Sequence, residues 1–139
     1  MFEQIVPYLP QTSGLLPKWL VFISAVSIFN SAQTYISGLE LTRRVYENKP
    51  LETTGLSART FGTWTLISAV IRGYGAYYIT NPQVYDITLC SYFIAIAHFG
   101  LEWFVYKTAK FGKGLLGPLI VATTSITWML SQRGYYQSL

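Results

Sequence analysis

The stretch that decides the fold is LSARTFGTWTLISAVIRGYGAYYIT, residues 56–80, which is apolar and long enough to predict a membrane-spanning helix. It nevertheless places Arg72 well inside the predicted span. A guanidinium at the centre of a hydrocarbon layer costs at least about 2.5–3.5 kcal/mol on insertion scales. The remaining segments of the chain must therefore provide groups that stabilise Arg72.

The composition of the chain is typical of a membrane protein. Hydrophobic residues make up 51% of the 139 residues and charged residues only 12%, whereas a soluble domain carries about 25% charged residues. Aromatic residues reach 17%, with 11 tyrosines and 4 tryptophans, and such amphipathic rings favour the boundary between lipid and water. The net charge of +4 is not clustered as a nucleic-acid surface requires, so no nucleic-acid partner is expected.

Four apolar segments lie along the chain, each close to the roughly 20 residues that cross a bilayer. We predict a single all-α membrane domain over residues 1–139, an antiparallel bundle of four transmembrane helices with no soluble domain. A soluble bundle of buried helices is disfavoured because no segment shows a continuous charged face. The predicted parts are a flexible or interfacial lead-in over 1–17 and spans over 19–39, 60–80, 87–106 and 115–132.

Basic residues are concentrated in two connections, residues 40–59 and 107–114. The positive-inside rule predicts that both connections are cytoplasmic and that both termini are lumenal. Asn81 and Pro82 predict a tight turn between the second and third spans, so these helices are expected to be neighbours.

The connection over 40–59 is the only sizeable region expected outside the membrane. Its mixture of acidic and basic side chains suits a docking surface for a cytoplasmic partner, and a solvated loop beside lipid headgroups is the alternative. The candidate docking residues are Arg43, Arg44, Glu47, Lys49, Glu52 and Arg59.

Polar residues of the spans fall in one layer of the cytoplasmic half, roughly 6–16 Å deep at 1.5 Å per residue. The candidates are Asn30, Gln33, Arg72, His98 and Glu102. His98 and Glu102 share a helix face, and we expect Arg72 to be stabilised by Glu102, or by His98 and nearby hydroxyls. Asn30 and Gln33 are expected to bond between helices. The layer is interpreted as a structural clamp, with a proton relay or an anion counter-ion as the alternative.

The sequence predicts neither an enzyme nor a metal or cofactor site. One histidine and one cysteine cannot supply the three protein ligands of catalytic zinc. The run GKGLLG, residues 112–117, matches a dinucleotide fingerprint in letters, but predicted membrane helices flank it where a strand and a helix are required. Small residues at Gly73, Gly75 and Ala76 predict close helix packing.

Two long runs resemble the ergosterol biosynthetic protein 28 family, and the similarity extends over roughly residues 15–136. They are LPKWLVFISAVSIFNSAQTYISGLELTRRVYENKPLETTGLSARTFGTWTLISAVIRGYGAYYI, residues 16–79, and AHFGLEWFVYKTAKFGKGLLGPLIVATTSITWM, residues 97–129. The resemblance implies a non-catalytic scaffold of the endoplasmic-reticulum membrane that holds the sterol C-4 demethylation enzymes together. The implied partners are the C-4 methyl sterol oxidase, the sterol-4-carboxylate 3-dehydrogenase, the 3-ketosteroid reductase and, further, the sterol C-24 methyltransferase.

The resemblance carries over no catalytic residues, and two other functions stay open beside the scaffold. One is a sterol-binding or sterol-transfer protein whose polar layer contacts the sterol 3-hydroxyl. The other is a small proton-coupled carrier with Arg72, His98 and Glu102 as the relay, which the absence of an internal repeat in the sequence disfavours.

Overall fold

Six α-helices and two short 3-10 turns make up the computed structural model, which describes residues 2–36 and 38–139. Met1 of the predicted lead-in and Ser37 of the first predicted span lie outside the described residues. The 3-10 turns cover Val6–Tyr8 and Pro50–Glu52. The α-helices are α1 (Phe2–Ile5), α2 (Leu16–Ile36), α3 (Gly38–Val45), α4 (Gly55–Tyr77), α5 (Pro82–Phe104) and α6 (Lys113–Gln137).

The four long helices overlap the four predicted spans, but each begins earlier than predicted, and local caps account for the earlier start of α4 and α5. At α4, the Thr54 hydroxyl accepts from the Ser57 backbone N–H at 3.2 Å, and the Ser57 hydroxyl accepts from the Thr54 N–H at 2.8 Å. This reciprocal capping box starts α4 at Gly55 rather than at residue 60. Asn81 caps α5 through the Val84 N–H at 3.1 Å, and Pro82 fits the first helical turn.

Three helices among the described residues are long and apolar enough to cross a membrane: α2, α5 and α6. Helix α4 is as long, at 23 residues, but its arginines, threonines, serines and glycines make it less apolar. The described residues are therefore all-helical with at least these three candidate spans.

The connection predicted over 40–59 is largely helical. It holds most of α3, the 3-10 turn over Pro50–Glu52 and the first turn of α4. Arg43 holds it together, since its Nε donates to the Pro50 carbonyl at 2.9 Å and its Nη2 to the Thr53 carbonyl at 3.2 Å.

Helix α2 packs on α4 through a stripe of small hydroxyl residues. Buried side chains recur every three or four residues on α2, which is one face of a helix. Ser24 donates to the Ala69 carbonyl and Ser31 to the Gly62 carbonyl, both at 2.7 Å. A Cβ at Gly62 would overlap the Thr34 side chain, so the backbones are as close as small residues allow. The stripe consists of Ser24, Ser27, Ser31 and Thr34.

The two ends of the helices are fastened by different groups. At one end, the Tyr77 hydroxyl donates to the Tyr8 carbonyl at 2.6 Å and Gln137 donates to the Ile79 carbonyl at 3.2 Å. At the same end, Arg133 of α6 pairs with Asp86 of α5 through two bonds of 2.9 and 3.0 Å. The other end is where α3 meets the connection between α5 and α6.

Candidate functional site: a cleft beside the two basic connections

Arg72 is buried between α4 and α5, with only 6% of its surface exposed. Its Nε donates to the Ser91 hydroxyl at 3.2 Å and its Nη2 approaches the Ser91 carbonyl at 3.4 Å. Its guanidinium carbon lies 4.0 Å from the centre of the Tyr92 ring, which is cation–π geometry. The groups that stabilise Arg72 are therefore a hydroxyl, a carbonyl and an aromatic face.

The expected pairing of Arg72 with Glu102 or His98 is wrong. Helix α4 begins at Gly55, upstream of the predicted span. Arg72 therefore lies 17 residues, about 26 Å, from the start of α4. That depth brings Arg72 to Ser91, while His98 and Glu102 lie about 10 and 16 Å further along α5. Of the groups expected to stabilise Arg72, only a hydroxyl, that of Ser91, is among its partners in the structure.

His98 and Glu102 do lie together, and their partners come from the two connections. The Tyr46 hydroxyl and His98 Nε2 share a hydrogen bond of 2.6 Å. The Thr108 hydroxyl donates to Glu102 Oε1 at 2.6 Å. Tyr46 follows α3 and Thr108 lies between α5 and α6, so both connections meet at the end of α5.

The other two members of the predicted layer lie elsewhere. Asn30 is exposed and Gln33 is half-buried, and neither side chain has a hydrogen bond among the described residues. The residues that bond between α2 and α4 are the serines described above. The sequence signal for these residues is their spacing of three and four along α2, which places them on one helix face.

The six candidate docking residues divide into two groups. Arg43 is committed to backbone carbonyls of its own connection, and Lys49 donates to the Tyr106 carbonyl at 3.1 Å. The members that are exposed and that make no such bond to a carbonyl in the described structure are Arg44, Glu47, Glu52 and Arg59. A Cβ at Gly114 would overlap the Arg44 backbone, so α3 lies directly on the start of α6.

A cleft of about 560 Å³ opens between α3, α4 and the end of α5. One wall is aromatic: Phe61 and Trp64 meet edge-to-face with ring centres 5.1 Å apart, and Trp64 lies 5.6 Å from the His98 ring. Tyr46 meets Phe61 edge-to-face with ring centres 5.9 Å apart, and Glu102 of α5 adds a carboxylate to the lining. The cleft is lined by Thr42, Tyr46, Glu52, Thr53, Thr54, Leu56, Ser57, Thr60, Phe61, Trp64, His98, Glu102 and Thr108.

The electrostatics of the cleft favour neutral groups on its Tyr46 side. Burial raises the pKa of the Tyr46 hydroxyl well above its ordinary value near 10, and the nearby Glu102 carboxylate raises it further. The hydroxyl therefore stays protonated at neutral pH, where it shares the hydrogen bond with His98 described above.

Sequence reasoning found His98, Glu102 and Glu52 of this cleft and missed its other principal groups. Tyr46 and His98 are 52 residues apart, and no local pattern joins them. Within residues 2–36 and 38–139, no cluster of three histidine, cysteine or acidic side chains is arranged to hold a metal ion.

Comparison with known proteins gives one consistent group of relatives. The model of the family described as Erg28 like protein matches residues 16–127. The ergosterol biosynthetic protein 28 of Saccharomyces cerevisiae is 63% identical over 123 residues, which cover 88% of this chain and 83% of the relative. The protein of the same description from Candida albicans is 54% identical over 135 residues, covering 97% and 96%. A Homo sapiens homolog is 44% identical over 117 residues, or 84% of each chain. No solved structure matches.

Proposed function

This chain belongs to the Erg28 family, and from that premise we propose that it is a non-catalytic scaffold of ergosterol biosynthesis in the endoplasmic-reticulum membrane. The pathway is supported by its relatives from Saccharomyces cerevisiae and Candida albicans, both of which are ergosterol biosynthetic proteins. The proposed clients are the enzymes of sterol C-4 demethylation, namely the methyl sterol oxidase, the 4-carboxysterol 3-dehydrogenase and the 3-ketosteroid reductase, with the C-24 methyltransferase as a further partner.

The observation that carries this proposal is the ordered platform formed by the two basic connections. The Asn48 N–H donates to the Thr108 carbonyl at 3.1 Å, and its side chain donates to the Ala109 carbonyl at 3.2 Å. Lys49 adds a third link, to Tyr106. A surface that is already ordered loses less conformational entropy when a partner binds. Arg44 and Glu47 are presented on this platform and are exposed.

The proposed arrangement in the membrane is four antiparallel spans, with α4 as the fourth span beside α2, α5 and α6. Ser24 meets Ala69 while Ser31 meets Gly62, so contacts run in opposite directions along α2 and α4. The bonds of Arg72 to Ser91 and its contact with Tyr92 lower the cost of carrying a guanidinium at that depth. Charge counting places the platform in the cytoplasm and both termini in the lumen.

Tethering has a clear physical benefit for consecutive reactions. Enzymes held by short links experience effective concentrations in the millimolar range. Carboxylated and keto-sterol intermediates then pass between enzymes before they diffuse into the bilayer.

The experiment is a mild-detergent affinity purification of the tagged full chain, combined with sterol profiling of cells that lack it. We expect recovery of the C-4 demethylation enzymes and accumulation of 4-methyl and 4-carboxy sterols. The charge reversal Arg44→Glu should reduce recovery, whereas Lys18→Glu, an exposed reversal at the opposite end of α2, should not. A chain recovered without these enzymes, in cells with a normal sterol profile, would overturn the scaffold.

A further inference from the structure

The cleft between α3, α4 and α5 has the size and the composition of a small-molecule site. Its volume of about 560 Å³ is within the range of about 300–1,000 Å³ found for ligand pockets. An aromatic wall with a few convergent polar groups is the usual composition of such sites. Arg44 and Glu47, which the platform presents for docking, do not line this cleft.

One polar group in the lining lacks a partner. Thr42 of α3 is only 3% exposed, and its hydroxyl has no hydrogen-bond partner among the described residues. An unsatisfied buried hydroxyl costs roughly 1–3 kcal/mol, so a ligand that supplies the missing bond would recover that loss. Thr42 lines the same cleft as Tyr46 and His98.

The charges of the lining select the class of ligand. Glu52 and Glu102 contribute carboxylates, and none of the described lining residues is a lysine or an arginine. An anionic head group would meet repulsion there, whereas a hydroxyl can donate to a carboxylate or to a threonine oxygen.

The position of the cleft in the fold indicates an apolar body for that ligand. It extends from Leu56 in the first turn of α4 to Trp64, along the end of a proposed membrane span. Leu56 is 68% exposed, and tryptophan and tyrosine rings favour the boundary between lipid and water. A molecule dissolved in the bilayer would reach the cleft with its polar end at this boundary.

We propose that the cleft binds a neutral 3-hydroxysterol, with the hydroxyl among Thr42, Tyr46 and His98 and the ring system against Phe61 and Trp64. The choice of a sterol rests on the proposed place of the chain in sterol biosynthesis. The site discriminates against sterols that carry a carboxylate, because Glu52 and Glu102 repel them.

The test uses the full chain, purified in lipid nanodiscs, and a photoreactive 3-hydroxysterol probe that carries a diazirine. Labelled peptides are identified by mass spectrometry, and unlabelled ergosterol and a sterol 4-carboxylate serve as competitors. Thr42→Val removes the unpartnered hydroxyl at constant volume, and Thr60→Phe fills the cleft from an exposed position. The matched controls on α4 are Thr65→Val and Thr63→Phe, because neither residue lines the cleft.

We expect labels on α3, α4 or the end of α5, and competition by ergosterol but not by the carboxylate. Thr42→Val should raise the half-saturating probe concentration roughly threefold to tenfold, as the loss of one hydrogen bond predicts. Thr60→Phe should abolish saturable labelling, and both controls should behave like the wild type. Any of three results would overturn the proposal. The first is labelling outside the cleft, and the second is labelling that neither Thr42→Val nor Thr60→Phe changes. The third is competition by the sterol 4-carboxylate that is as effective as competition by ergosterol. If the sterol probe does not bind in the cleft but the partner enzymes are still recovered, the sterol site is wrong and the scaffold proposal stands. If the probe binds in the cleft but no partner enzyme is recovered, the scaffold proposal is wrong and the sterol site stands.

Discussion

The guanidinium of Arg72 lies 4.0 Å from the centre of the Tyr92 ring, on a neighbouring helix that also supplies Ser91 as a hydrogen-bond partner. Tyr92 is fully buried, so solvent screens this contact little. The charge that Arg72 brings into α4 is thus also a specific link between α4 and α5.

Arg72→Leu is expected to destabilise the fold. The substitution removes the cation–π contact and the bonds to Ser91, a loss of roughly 1–3 kcal/mol. Thermal unfolding in detergent should show a lower midpoint, with recovery of partner enzymes per folded chain unchanged. Arg59→Leu is the matched control for the unfolding midpoint, because Arg59 is exposed on the same helix. Equal midpoints for wild type and Arg72→Leu would contradict the structural role of Arg72.

Close contact of α4 with its neighbours predicts the effect of enlarging two glycines. A Cβ at Gly62 would overlap Thr34 of α2, and a Cβ at Gly75 would overlap Thr88 of α5. Overpacking of this kind costs roughly 1–3 kcal/mol, so Gly62→Ala and Gly75→Ala should each lower the unfolding midpoint. Gly100→Ala is the control, since its Cβ would meet open space, and it should leave stability equal or slightly higher. If all three variants unfolded alike, the packing of α4 described here would be incorrect.

Adjacent arginines of α3 are expected to separate stability from recognition. Arg43 bonds to the Pro50 and Thr53 carbonyls, so Arg43→Ala should loosen the connection and speed its cleavage by a protease. Arg44 is exposed, so Arg44→Ala should leave cleavage unchanged and weaken partner recovery. Limited proteolysis and affinity purification of both variants provide the comparison. A protease-sensitive Arg44→Ala with a resistant Arg43→Ala would reverse the assignment.

Tyr46 predicts a loss of stability in alkaline solution. Burial raises the pKa of its hydroxyl in the folded chain above the ordinary value near 10. Above that pH the unfolded chain binds fewer protons than the folded one, so the free energy of unfolding falls as pH rises. Unfolding in detergent should be followed from pH 8 to 11 for the wild type and for Tyr46→Phe. The variant should lose less stability over this interval, and parallel pH profiles would show that Tyr46 is not responsible.

The resemblance of residues 16–79 and 97–129 to a known family was available in the sequence, and comparison with known proteins confirmed the family. The positions of the long helices were also available, because apolar length and local caps such as Asn81 and Pro82 depend on neighbouring residues alone. The upstream start of α4 could have been read from Thr54 and Ser57, whose spacing is that of a capping box.

What the sequence by itself determined is therefore the helical, apolar composition, the four long helices and the family. The tertiary structure alone decided which polar groups meet. The depth of a residue along its own helix does not say which residue of a neighbouring helix it will meet. The partner of Arg72 depends on how far α4 and α5 are shifted relative to each other along their axes, and the helix caps and interhelical packing set that shift together. The cleft has the same origin, because Thr42, Trp64 and His98 come from three helices, and their proximity exists only once those helices have packed.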